Sequence, residues 1–123
     1  MPISWQNMTA ARRGVRWYTN GLVSNPAAGT VLADTGAVSE DSEYHAYIVG
    51  SSTANARVRI EHRNPDNTAN SQSPIVLHVG ANTPIELFVP VRLVKGERLR
   101  VVMDAALTGD VVFSVLWLKA FQE

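Results

Sequence analysis

From about Thr30 onward, short runs of alternating apolar and polar residues recur along the chain. In RVRIEHR, Val58 and Ile60 fall on one side, with Arg57, Arg59, Glu61 and Arg63 on the other. In PIELFVPVRL, Ile85, Leu87, Val89, Val91 and Leu93 oppose Glu86, Phe88, Pro90 and Arg92. In ERLRVVMD, Leu99, Val101 and Met103 oppose Arg98, Arg100 and Asp104. A period of two is the signature of a strand with one dry and one wetter face. It predicts strands at 30–34, 43–50, 56–63, 74–79, 84–94, 97–104 and 110–119, and no window has the 3.6-residue period of a helix. The last run, VVFSVLWL, is apolar on both sides, so the N-terminal segment or another subunit is expected to cover its second face.

Between these runs lie Gly, Asn, Ser and Thr clusters such as VGSSTAN, HVGANTP and LTGD, at the spacing of a sandwich or barrel. Lys95 and Gly96 link two strong strands and predict a hairpin. Pro90 cannot donate to a ladder, which predicts an edge position or a bulge there. The fold class is therefore all-β, an antiparallel β-sandwich. Residues 1–28 are broken by Gly14, Gly21 and Pro26 and predict an extended N-terminal arm anchored by Trp5 and Trp17, leaving 29–123 as the sandwich domain.

Composition narrows the possible functions. Eleven bases balance eleven acids, so no global field draws the chain to nucleic acid or to an anionic membrane. No stretch approaches the roughly 20 apolar residues of a membrane span, and the N-terminus lacks the apolar run of a secretory signal. Without cysteine there is no disulfide, thiolate site or cysteine nucleophile. No Ser motif, phosphate loop or H-E-x-x-H spacing occurs, and His45, His62 and His78 fall in three different predicted strands, so neither an enzyme nor a cofactor or metal site is expected. A nucleic-acid patch of Arg57, Arg59 and Arg63 beside Tyr44 or Tyr47 is interrupted by Glu61 and is disfavoured. Nine of the eleven bases are Arg, whose planar fork suits carboxylates at interfaces. Interface formation is thus the expected mode of action.

The order VLADTGAVSEDSEYHAYIV, then ARVRIEHRNPDNTANSQ, then LVKGERLRVVM resembles small virion proteins of tailed bacteriophages, over residues 29 to 119. That resemblance implies a jelly-roll-like capsid decoration, or cement, protein. Such a protein would be made in the host cytoplasm, assemble as a homotrimer, and bind the major capsid protein on the virion surface where subunits meet. The N-terminal stretch has no counterpart in the pattern, so arm docking rests on its own residues: Trp5, Arg12, Arg13, Arg16 and Trp17 are the candidate capsid contacts. Arg57, Arg59, Arg63, Phe113 and Trp117 are candidates for an oligomer interface, the last two for the core as well. The competing class is a carbohydrate- or other ligand-binding sandwich module, for instance on a phage tail. Few aromatics and no export signal count against it.

Overall fold

The computed structural model describes residues 15–68 and 75–119. Among these described residues nine strands run in chain order: β1 (Val15–Tyr18), β2 (Val23–Ser24), β3 (Val31–Asp34), β4 (Ser42–Ser52), β5 (Ala56–Arg63), β6 (Ile75–Val79), β7 (Ile85–Leu93), β8 (Arg98–Met103) and β9 (Asp110–Lys119). They form two antiparallel sheets. Sheet A has the order β1-β9-β4-β7, with β2 also on β9, and sheet B the order β3-β8-β5-β6. Counting β1 and β2 as one interrupted strand, eight strands divide between the sheets in the order of a jelly roll.

Each predicted strand is present within a residue or two of its expected bounds, because alternation marks which residues face the other sheet. In β4 the inner set is Ser42, Tyr44, Ala46 and Ile48; in β9 it is Val111, Phe113, Val115 and Trp117, all buried. These meet Leu32, Val58, Ile60, Leu99, Val101 and Met103 from sheet B in one core. Tyr44 stacks on Trp117 there, with ring centroids 4.9 Å apart and planes 6° from parallel. Pro90 lies on β7, the edge of sheet A, opposite His45, in the kind of strand where a residue without an N–H is tolerated.

Two expectations are corrected. The sandwich begins by Val15 rather than at residue 29, since β1 and β2 both pair with β9. Gly21 interrupts the strand without ejecting it: the Thr19 hydroxyl donates to the Phe113 carbonyl at 2.7 Å and the Asn20 amide to Leu32 O at 2.9 Å, tying down the break. VRWY already alternated, but the nearby glycines masked its strand character. Lys95 and Gly96 do not close a hairpin, because β7 belongs to sheet A and β8 to sheet B. They form a turn arching between the sheets, with the Glu97 amide donating to Val94 O at 3.0 Å. Gly96 has φ 95°, and a Cβ there would lie 2.9 Å from Pro65 Cβ, so the arch requires glycine.

Candidate functional site

Because the inner residues are fixed by the core, every second residue of sheet A points outward, and the register decides which of these meet. Trp17 pairs with Leu116, Leu116 with Tyr47, and Tyr47 with Phe88. Side chains from all four main strands thus form one row across the outer face of the sheet. At about 4.8 Å per strand the row runs about 14 Å from Trp17 to Phe88. Trp17 is 57% exposed, Tyr47 36% and Phe88 54%, well above what aromatic rings in a folded domain need to expose. His45 meets Phe88 edge-on, with centroids 5.3 Å apart, and supports one end of the row.

Beside the row the face changes character. Val49, Ser51, Glu86, Val112 and Ser114 line a shallow depression of about 270 Å3. A second, of about 400 Å3, shares Ser51 and Val112 with it and extends toward Leu22, Thr53, Asn82 and Asp110. Aromatic rings on one side and hydroxyl, carboxylate and amide groups on the other make a groove with a polar side and a stacking wall. Val112, Ser114 and Leu116 are half-buried, so the outer face of β9 is flanked by its neighbours in the sheet, with β1 beside it rather than above it.

The polar edge of the row is electrostatically set. Tyr47 donates its hydroxyl proton to Glu86 Oε2. That hydrogen bond, then burial, then the carboxylate's charge push the phenol above its ordinary value of 10.0. The raised pKa means the contact is intact below the ordinary phenol range and is lost as pH rises through the shifted value. Glu86→Gln is accordingly expected to lower the Tyr47 titration midpoint, read by ultraviolet phenolate absorbance against a Tyr47→Phe blank; an unchanged midpoint would show the bond is absent in solution.

The arginine row of β5 occupies the opposite face of the molecule, on sheet B. There it meets this chain's own acids. Glu61, with a side chain only 8% exposed, lies 3.1 Å from Arg59, 3.4 Å from Arg63 and 3.1 Å from Arg100. Asp104 pairs with Arg57 and, at 3.0 Å, with Arg59. Asp34 holds Arg98 at 3.2 Å. Cross-strand register explains the network, since Glu61 sits opposite Arg100 and Arg63 opposite Arg98. Five arginines on this face thus meet the carboxylates of Glu61, Asp104 and Asp34.

The other sequence candidates fall as follows. Trp5, Arg12 and Arg13 lie outside the described residues, and Arg16 is in β1 opposite Trp117. Phe113 and Trp117 are core residues, 0% and 6% exposed, and so are removed from the oligomer-interface candidates. Tyr44 is buried, while Tyr47 lies on the other sheet from the arginines, so the juxtaposition considered for nucleic acid does not form. The aromatic row itself was not anticipated. Its signal lies in Tyr47 and Phe88 on the polar sides of their alternating runs, whereas Trp17 falls in the expected arm, and only strand order aligns the three. Among the described residues, no group of three His, Asp or Glu is placed to hold a metal ion. Among the described residues, no helix is long and apolar enough to cross a membrane.

No protein-family model matches the chain, and no curated protein matches it. A solved structure described as "CBM4 structure and function" is similar in fold, with a TM-score of 0.48 and 11% identity, covering 85% of this chain and 90% of that one.

Proposed function

We propose that the chain is a non-catalytic binding module that holds an extended glycan against the outer face of sheet A. The observation that carries this reading is the exposed Trp17–Leu116–Tyr47–Phe88 row bordering a groove with Ser51, Ser114 and Glu86. The faces of sugar rings are apolar C–H surfaces rimmed by hydroxyls. Aromatic side chains offer them flat apolar area at small entropic cost, and the few polar groups alongside fix orientation. The groove is open and continuous across strands, as a polymer passing through requires.

A second reading, attachment to a phage capsid as a homotrimer, is supported by a different feature of the same face. Trp17 stands on the edge strand that continues directly into residues 1–14, so an aromatic face and Trp5, Arg12 and Arg13 would be delivered together to a protein partner. Here the module would span major capsid subunits, and multivalency would supply much of its hold.

One set of variants separates the two. Trp17→Ala and Phe88→Ala sit on the surface and are expected to leave thermal unfolding unchanged. Each should weaken retention in affinity gels containing soluble polysaccharides by about 30-fold, or about 2 kcal/mol. Full retention by the double variant would overturn the glycan reading. Absence of any polysaccharide binding, together with co-sedimentation on capsids that is lost on deleting residues 1–14, would establish the second reading in its place.

A further inference from the structure

A separate cleft opens on the sheet B side, at the end of the sandwich where β5 begins and β6 ends. Arg57 and His78 are opposite each other in the β5–β6 register, both exposed and both on the outer face. Together with Asn55, Gly80, Ala105 and Ala106 they line a cavity of about 550 Å3, within the range of small-ligand sites of roughly 300–1,000 Å3. Gly80, Ala105 and Ala106 keep that part of the wall low and leave room beside Arg57 and His78.

The donors in this cleft are held in place. Asp104 takes the Nε of Arg57 and is itself fixed by Arg59 Nη1 at 3.0 Å. Among the described residues no acceptor engages the two terminal nitrogens of Arg57, which present the end-on fork that matches a carboxylate. The Asn55 carbonyl accepts the Ala81 amide at 2.9 Å, which orients its NH2 group and leaves that group as a hydroxyl reader. His78 adds a ring nitrogen on the facing strand. An aimed guanidinium, an amide and an imidazole around a cavity larger than a bare carboxylate describe a site for an acidic monosaccharide.

We infer that this cleft binds a sugar acid, its carboxylate on Arg57 and its hydroxyls on Asn55 and His78. The inference is independent of the aromatic row on the other sheet. The test follows the Arg57 side-chain and His78 ring resonances of the full chain by NMR while sodium glucuronate, sodium acetate or glucose is added at constant ionic strength. Glucuronate is expected to shift both saturably, with acetate and glucose at least tenfold weaker. Arg57→Gln should weaken glucuronate at least tenfold and His78→Ala severalfold, whereas Trp17→Ala should leave it unchanged. Equal binding of glucose or acetate, or full affinity in Arg57→Gln with a native spectrum, would overturn the inference.

Discussion

Replacing Glu61 by Gln is expected to lower the free energy of unfolding by about 3–5 kcal/mol, read from denaturant midpoints at low salt. The carboxylate is nearly buried and is approached by Arg59, Arg63 and Arg100, so its loss leaves three guanidinium groups facing one another across β5 and β8. Burying charge is favourable only when it is paired, and removal of the shared anion converts an ion cluster into uncompensated repulsion. Gln keeps the volume, which isolates charge from packing. Added salt should recover part of the loss in the variant while changing the parent little, because screening acts on repulsion between the remaining cations. A loss below about 1 kcal/mol would mean that the carboxylate's own desolvation offsets its three attractions.

The second large effect is at the centre of the core. Phe113→Ala is expected to destabilise by about 3–5 kcal/mol, since a fully buried ring is removed. Its neighbour across the sheet makes the prediction sharper. Gly50 pairs with Phe113 in the β4–β9 register, and a Cβ built at Gly50 would overlap the ring. Gly50→Ala alone should therefore cost about 1–3 kcal/mol through overpacking. The two substitutions together should lose less than their sum, because the new methyl enters space the ring has vacated. Strict additivity in a double-mutant cycle would show that the ring does not lie over Gly50.

Seven strands were legible because alternation reports burial directly, as Val58 and Ile60 against Arg57 and Arg59 illustrate. Pro90 announced an edge for an equally local reason, its missing N–H. What required the structure was strand order. The arginines of β5 read as a row waiting for a partner's acids, yet Glu61 is one of that row and Asp104 follows the end of β8, within this same chain. Nothing local reveals that register brings Arg100 to Glu61. Likewise nothing in their own segments joins Trp17, Tyr47 and Phe88, and the row exists only because β9 and β4 lie between β1 and β7.

That strand order also sets a timetable for synthesis. β9 is made after the other eight described strands and is the one that joins β1 and β2 to β4. Until it emerges, β4 can pair only with β7, and the N-terminal strands have no place in a sheet. Of the consecutive strands after β2, only β5 and β6 are neighbours, so almost every contact awaits a distant segment, the slow regime of folding. The growing chain therefore carries Trp17 with no strand beside it until β9 is made, and a premature stop before residue 110 leaves sheet A with only its β4–β7 pair, a product suited to degradation rather than to a smaller native state.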